Sequence, residues 1–239
     1  MARLGRYFLP GQALHVIQRG NNRQAVFFHD EDRELYRSWL GEAAAEYGCA
    51  IHAYVLMTNH VHLLVTPKAA ESLPRTMQSL GRRYVRRVND TYGRSGTLWE
   101  GRYRAAPIDG EGWFMTCSRY IELNPVRARL VSHPRLWRWS SYRTNAEGAA
   151  DRLVTPHALY RALARSRADR LLAYRKLFTD VLGEDTLKAI RSATNGGWAL
   201  GDDRFREEIE KALKRRAAPL PKGRPAKKAA PSARQINLL

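Results

Sequence analysis

A chain of 239 residues has room for one good-sized domain and an appendage. It carries 41 lysine and arginine residues against 23 acids, and this formal net charge of +18 indicates an anionic partner, with nucleic acid as the first candidate. A membrane surface is the rival partner, but no stretch approaches 18 apolar residues and we expect no signal segment. Cys49 and Cys117 have neither a disulfide framework nor zinc-ribbon spacing, so reduced thiols in a cytoplasm are expected.

The apolar pattern of the first half predicts alternating strands and helices. Strands are predicted at 14–19, 49–57, 60–66 and 97–105, and helices at 30–47, 72–92 and 111–124. The order β-α-β-β-α-β, followed by a helix, predicts an α+β ferredoxin-like fold, an antiparallel sheet with helices on one face. The residues expected on the apolar face of the first helix are Leu35, Trp39, Ala43 and Tyr47, and those of the second are Leu73, Met77, Leu80, Tyr84 and Val88.

The second half of the chain is predicted to be helical and to end in a basic tail. Residues 145–151 resemble a linker, and helices are expected between 152 and 216. From Lys211 onward the chain contains no acid, and the segment 217–239, rich in Pro, Ala and Lys, is expected to be disordered without a ligand.

His60 and His62 are the first candidate site residues. If the run from residue 60 to 66 is a strand, both imidazoles lie on one face about 6 to 7 Å apart, and Val61 points to the core. Two imidazoles at this spacing can bind one cation, although any strand can carry two histidines. In a strongly cationic chain, a metal-binding pair points to phosphodiester chemistry on nucleic acid.

Tyr120 and Asn124 are the second pair of candidates. They share one stripe of the helix predicted at 111–124, where a tyrosine is more often a core residue than a nucleophile. A phenol can nevertheless attack phosphorus when a metal polarises the phosphate. The amide oxygen of Asn124, one turn on, would complete with His60 and His62 a loose site for Mg²⁺ or Mn²⁺.

Several cationic and aromatic residues are candidates for contact with nucleic acid. Arg75, Arg82 and Arg86 are as readily a solvated helix face as a phosphate-binding one. Arg102 and Arg104 are predicted to alternate on the fourth strand, beside Trp99 and Tyr103, for which burial is favoured over stacking on bases. In the tail, Lys222-Gly223-Arg224-Pro225 resembles an AT-hook core built on Arg224, and a nonspecific cationic tail is the simpler interpretation.

Five motifs follow one another along residues 14–142. They are the runs Arg19-Gly20-Asn21-Asn22-Arg23, Met57-Thr58-Asn59-His60-Val61-His62, Leu98-Trp99-Glu100-Gly101-Arg102-Tyr103, Tyr120-Ile121-Glu122-Leu123-Asn124-Pro125-Val126-Arg127-Ala128, and the Trp-Ser-Ser-Tyr stretch from Trp139. In this order they resemble the HUH single-tyrosine transposases, and more narrowly the REP-associated tyrosine transposases. A Gly-Arg-Pro tail, here at residues 223–225, recurs in such proteins.

The resemblance implies a catalytic domain at 1–145 that cleaves and rejoins single-stranded or hairpin DNA, a helical region at 152–216 and the tail at 217–239. In this family the two motif histidines and the polar residue one helical turn after the tyrosine bind a divalent metal. The tyrosine itself forms a 5′-phosphotyrosine link with the DNA. Here these residues are His60, His62, Asn124 and Tyr120, with Arg19 expected near the DNA. The family often has histidine where this chain has Glu122, which is expected to point away from the tyrosine stripe.

Two other functions stay open at this point. A domesticated protein could bind the repeats without productive catalysis, and a ferredoxin-like module could bind RNA through exposed aromatics on its sheet, without a metal pair. The combination of His60, His62, Tyr120 and Asn124 favours the enzyme. The resemblance also favours a monomer over a dimer that exchanges the tyrosine helix.

Overall fold

Four strands form one antiparallel sheet in the computed structural model, which describes residues 9–219. The strands are β1 (Leu14–Arg19), β2 (Cys49–Met57), β3 (His60–Pro67) and β4 (Arg104–Pro107), and their order in the sheet is β2-β3-β1-β4. This arrangement confirms the predicted α+β, ferredoxin-like class.

The sheet has helices on both faces, whereas the prediction placed helices on one face only. They are α1 (Asp30–Tyr47), α2 (Ser72–Tyr92), α3 (Gly110–Glu122), α4 (Asn124–Arg127), α5 (Tyr142–Glu147), α6 (Ala158–Arg161), α7 (Arg167–Lys176), α8 (Glu184–Gly196) and α9 (Asp203–Leu213). Helices α1 and α2 share a core with one face of the sheet, as the ferredoxin-like prediction requires. Helices α3 and α8 cover the opposite face, and the candidate site lies there.

The buried face of α1 differs from the prediction by one residue. Of the four predicted residues Ala43 is buried, whereas Leu35, Trp39 and Tyr47 are half-buried, and the helix buries Tyr36, Leu40 and Ala44 in their place. Arginines of α2 lie over the two half-buried aromatic rings: Arg83 is 4.7 Å from the Trp39 ring centroid and Arg75 is 4.7 Å from that of Tyr47. The stripe predicted for α2 is confirmed, since all five of its residues are buried.

The fourth strand was predicted seven residues too early. Residues 97–103 form an irregular segment because the chain turns at Gly96 and Gly101, whose φ angles are 83° and 153°. Arg102 therefore lies in a loop, and Arg104 begins β4. Trp99 and Tyr103 are buried, at 5% and 6% exposure, so the expectation that they pack in the core is confirmed.

The predicted linker at 145–151 is wrong at its N-terminal end, where α5 continues to Glu147. Asn145 is buried, and its side chain donates to Glu122 Oε1 over 3.0 Å. Helix α3 also ends earlier than predicted, at Glu122. Pro125 then occupies the first turn of α4, where its missing N–H costs no hydrogen bond.

The Trp-Ser-Ser-Tyr stretch closes the outer edge of β2. Leu56 N donates to Trp139 O over 2.9 Å, and Ser140 bridges to Val55 in antiparallel fashion. Ser141 then accepts a hydrogen bond from Tyr54 N at its side-chain oxygen, over 2.9 Å. The motif thus satisfies backbone groups that an edge strand would otherwise expose.

No helix in the stretch from residue 9 to residue 219 has the length and apolarity needed to cross a membrane. Arg224 and the rest of the segment 220–239 lie outside the described residues, so the AT-hook interpretation stays a prediction.

Candidate functional site

The central strands β1 and β3 form the floor of a cavity of about 280 Å³. Because side chains alternate along a strand, His60 and His62 of β3 lie on the face that α3 covers, whereas Val61 packs into the core on the other side. The register pairs His60 with Arg19 and His62 with Ile17, so Arg19 is placed beside the histidines. The lining residues are His15, Ile17, Arg19, His60, His62, Tyr120, Asn124, Arg127, Ala128, Arg191, Thr194 and Asn195.

Five predicted site residues share this cavity. His60, His62, Tyr120, Asn124 and Arg19 come from β3, α3, α4 and β1. The ring centroids of His60 and His62 are 5.1 Å apart with the rings nearly perpendicular, and the His62 and Tyr120 centroids are 5.7 Å apart. The arrangement gathers a phenol, two imidazoles and an amide around one solvent-connected space.

His60 is held by its neighbour in the turn. Its Nδ1 lies 2.6 Å from Asn59 Oδ1, while Asn59 Nδ2 donates to the carbonyl of Arg23 over 2.9 Å. Since the Asn59 oxygen can accept but not donate, His60 Nδ1 carries the proton and Nε2 keeps its lone pair. Burial, followed by the charge of Arg19, lowers the pKa of His60 to about 4, and a side-chain hydrogen bond with Asn124, which favours the protonated ring, opposes this decrease. The ring is therefore neutral at pH 7, the form that binds metals.

His62 is deeper in the protein than His60, with 3% of its surface exposed. Its Nδ1 lies 2.8 Å from Nε2 of His15, a buried residue of β1 that is not among the predicted site residues. Burial lowers the pKa of His62 well below its usual value, and His15, His60, Arg127 and Arg19 lower it further. His62 is thus a second neutral imidazole.

Tyr120 lies between the histidines and a cation. Its ring meets those of His15 and His62 edge-on, and the Arg127 guanidinium lies 4.2 Å from its centroid. Arg127 Nη2 donates to the carbonyl oxygen of Tyr120 over 2.7 Å. Its Nη1 is buried and has no hydrogen-bond partner within residues 9–219. Burial lowers the pKa of Arg127 to about 10, so the group remains charged at neutral pH.

Sequence reasoning missed Arg127 and the contribution of α8. Arg127 lies seven residues, or about two helical turns, after Tyr120 in the motif at residues 120–128. That spacing could have identified Arg127 as a neighbour of the tyrosine. Arg191, Thr194 and Asn195 of α8 also line the cavity, about seventy residues beyond the tyrosine. No local sequence pattern indicates that this helix returns to the sheet.

The other predicted DNA-contacting arginines lie outside the cavity. Arg75, Arg82 and Arg86 are exposed on α2, across the sheet from the histidines. Arg102 is exposed in the loop before β4. Arg104 is exposed on β4 and donates to the carbonyl of Asn195 over 3.2 Å, which places it at the rim of the cavity. Arg75, Arg82, Arg86 and Arg102 therefore do not line the site, whereas Arg104 borders it.

Glu122 points away from the cavity, as expected. It is fully buried and accepts hydrogen bonds from Ser141 Oγ at 2.5 Å, Asn145 Nδ2 at 3.0 Å and Tyr174 OH at 2.9 Å. Burial raises the pKa of Glu122 to about 7, and these three hydrogen bonds oppose the increase. The residue joins the C-terminus of α3 to α5 and α7.

The donor set of the cavity fits a divalent cation that keeps several waters. Within residues 9–219 no three His, Cys, Asp or Glu side chains come together as a metal site. Two neutral imidazoles and the Asn124 amide form a three-donor set of another kind, and His60 keeps an unprotonated Nε2. The Asn124 amide oxygen and water suit Mg²⁺ and Mn²⁺, and the two imidazoles add nitrogen ligands, so these residues would hold such an ion loosely with several waters retained.

Comparisons with known proteins find similarity to transposases. Residues 10–124 match the family model described as "Transposase IS200 like", a range that spans His60, His62, Tyr120 and Asn124. A REP-associated tyrosine transposase bound to a REP hairpin is similar in structure over 66% of this chain and 93% of its own, with 17% identity and a TM-score of 0.53. At that identity the likeness supports the fold.

A predicted transposase from Deinococcus radiodurans R1 matches 54% of this chain and 92% of its own, with 21% identity and a TM-score of 0.35. That score is too low to bear on the fold. No curated protein sequence matches the chain.

Proposed function

We propose that the chain belongs to the IS200-like transposases, whose family model matches residues 10–124, and that it cleaves and rejoins single-stranded DNA at hairpin-forming repeats. The observation that carries the proposal is the position of Tyr120, which shares one cavity with His60, His62 and the unpaired guanidinium N–H of Arg127. A core tyrosine needs no such surroundings. The hairpin substrate is suggested by the structural neighbour, which is bound to a REP hairpin.

In the proposed reaction the Tyr120 phenolic oxygen attacks a DNA phosphorus. The new O–P bond forms as the P–O3′ bond breaks, the phenolic proton is lost, and the departing oxygen takes up a proton to become a free 3′-OH. The 5′ end stays on the tyrosine. A later attack by a 3′-OH on the same phosphorus reverses these steps, so the strand is resealed without ATP.

Residues around the tyrosine have separate proposed roles. Arg127 lines the cavity, has a buried Nη1 without a partner among the described residues, and would bind the phosphate whose charge grows in the transition state. His60, His62 and Asn124 would hold a Mg²⁺ or Mn²⁺ ion, which when bound polarises the scissile phosphate. Arg19 and Arg191 line the cavity and would contact neighbouring phosphates.

The site is assembled within one chain. Helix α3 supplies Tyr120 to the same cavity that β3 supplies with histidines, so no exchange of the tyrosine helix between two copies is needed. We therefore propose that the protein acts as a monomer.

The test is covalent capture of DNA. A hairpin oligonucleotide from palindromic repeats that flank the coding region is labelled at either its 3′ or its 5′ end and incubated with the full chain and Mn²⁺. On a denaturing gel, the 3′ label should move with the protein, and the 5′ label should appear in a shorter released fragment. Label at the opposite ends would contradict a 5′-phosphotyrosine.

Two variants sharpen the result. Tyr120→Phe should form no adduct while binding DNA as the wild type does, because only the phenolic oxygen is lost. Tyr47→Phe is the matched control, since Tyr47 is half-buried on the opposite side of the sheet, and it should form adduct normally. Wild-type adduct yield in Tyr120→Phe would remove Tyr120 from the role. Specific hairpin binding without any adduct in the wild type would favour a repeat-binding protein.

A further inference from the structure

Three buried side chains form a hydrogen-bonded chain that ends at the cavity. His62 Nδ1 lies 2.8 Å from His15 Nε2, and His15 Nδ1 lies 2.7 Å from Thr194 Oγ1. Thr194 Oγ1 in turn donates to the carbonyl oxygen of Ile190 over 2.9 Å. His62, His15 and Thr194 are 3%, 1% and 3% exposed, so water does not compete freely for these contacts.

Counting the available protons shows which atom donates and which accepts in each of these hydrogen bonds. The Thr194 hydroxyl has one proton, which it gives to the carbonyl one turn back, as serine and threonine commonly do in helices. Its oxygen must then accept from His15, so His15 carries its proton on Nδ1. A neutral imidazole has one proton, which leaves His15 Nε2 as an acceptor and makes His62 Nδ1 the donor.

The opposite direction is less favourable. If Thr194 donated to His15 instead, it could no longer donate to Ile190, and the group would make two hydrogen bonds rather than three. His62 would then carry its proton on Nε2, and an N–H would meet any cation in the cavity. Both the count of hydrogen bonds and the electrostatics favour the first direction.

We propose that Thr194 and His15 are positioning residues that hold His62 in the Nδ1–H tautomer, so that its Nε2 keeps a lone pair for a divalent cation. This inference rests on the metal role of His62 in the proposed function. The C-terminal helix α8, which lies beyond the family match at residues 10–124, thereby becomes part of the site.

His60 provides an independent parallel. Asn59 holds it in the same tautomer, with the amide of Asn59 itself fixed by the Arg23 carbonyl. Two neighbouring imidazoles are thus held alike by unrelated partners, one from the local turn and one from a helix more than 130 residues later. Outer partners of this kind set the ring orientation and tautomer of metal-binding histidines.

The test determines the tautomer of His62 first and the affinity for Mn²⁺ second. In the metal-free, ¹⁵N-histidine-labelled full chain, NMR of the seven histidines distinguishes protonated from unprotonated ring nitrogens, and a His62→Gln spectrum assigns His62. The wild type should show His62 protonated on Nδ1. Thr194→Val removes the acceptor with little change of shape, so His62 should shift toward the Nε2–H form. Mn²⁺ affinity by calorimetry should fall about tenfold or more.

Thr194→Ser is the matched control, because it keeps the hydroxyl and should keep both the tautomer and the affinity. Thr194→Ala serves as a second test if the valine variant does not fold. A wild-type His62 protonated on Nε2, or an unchanged tautomer in Thr194→Val, would overturn the proposal. If the wild type shows the Nδ1–H tautomer but binds no Mn²⁺, the metal role fails while the hydrogen-bonded chain stands.

Discussion

Arg127 is the residue whose surroundings most clearly demand a ligand. Its Nη2 is occupied by the Tyr120 carbonyl, and its buried Nη1 has no partner among the described residues. A buried N–H without a partner is costly, and an incoming phosphate oxygen would satisfy it. We expect Arg127→Gln to lower the rate of adduct formation by about 10² to 10³-fold. Single-turnover kinetics at saturating DNA measure that rate.

The control for Arg127 is Arg102→Gln, which removes an exposed arginine from a loop outside the cavity. It should leave the rate at saturating DNA near the wild-type value. Equal rates for Arg127→Gln and the wild type would remove Arg127 from the reaction.

His60 and His62 should each be required for cleavage. Both rings are assigned to one cation, so His60→Ala or His62→Ala should abolish nicking, and chelation with EDTA should do the same to the wild type. The measurement is release of the 5′-labelled fragment with and without added Mn²⁺. His133→Ala is a suitable control because His133 lies outside the cavity. Undiminished nicking in EDTA would rule out the metal role.

The sequence predicted those candidate site residues whose positions follow from the local periodicity of a strand or helix. Strand alternation brings His60 and His62 to one face, and helical spacing brings Tyr120 near Asn124. His15 and Thr194 could not be predicted, because their contacts join β1 and α8 across 179 residues. A lone histidine in a strand and a threonine in a helix have no pattern that distinguishes them from ordinary buried residues.

Glu122 connects elements that the sequence assigned to separate regions. It ends α3 two residues after the tyrosine and is bonded to Ser141, to Asn145 of α5 and to Tyr174 of α7. Glu122→Leu would leave three buried donors without their acceptor, at about 1–3 kcal/mol for each one. We expect a fall in Tm of about 6 °C or more, measured by thermal unfolding.

Glu122→Gln is the matched variant. Its amide oxygen can still accept from Ser141 and Asn145, and its NH₂ group can donate to the Tyr174 hydroxyl oxygen. Its stability should therefore lie close to that of the wild type, and it should still form the DNA adduct. A Glu122→Leu protein as stable as the wild type would show that the network contributes little.

Prediction of the elements succeeded where the apolar pattern was local and failed where distant contacts decided the structure. Strands β1 and β2 and helix α2 have the predicted bounds, since their periodicity and the turns beside them are strong. The segment 97–103 has the aromatic composition of a strand but turns at two glycines and packs Trp99 into the core. Residues 145–147 resemble a linker by composition, yet their contacts with α3 make them helical.

The cavity that contains the candidate catalytic residues is formed by two regions of the chain that are far apart in sequence. The sheet and α3 belong to the family match at residues 10–124, whereas α8 closes the same cavity from the C-terminal half. The domain boundary proposed near residue 145 therefore does not separate the site from the C-terminal helices. A truncated protein ending at residue 145 would lack Arg191, Thr194 and Asn195.

The basic tail is a further candidate for DNA contact, and its deletion removes none of the residues that line the cavity. Deleting residues 219–239 removes Lys222, Arg224, Lys227, Lys228 and Arg234, whereas the last residue that lines the cavity is Asn195. Each phosphate contact that is lost should reduce the slope of log K against log salt by about 0.7 for single strands or about 0.9 for duplex. Binding should weaken and become less salt-sensitive, while cleavage at saturating DNA stays near normal.

A second variant separates charge from length. Replacing the five cationic residues of the tail by glutamine keeps the chain length and should reproduce the truncation if phosphate contact is the cause. A tail that acts only on solubility would give the full-length, neutralised and truncated proteins identical salt slopes. The slope of log K against log salt reports the number of counterions released on binding, not the total affinity. It therefore changes when phosphate contacts are lost, even if the cavity residues supply most of the binding energy.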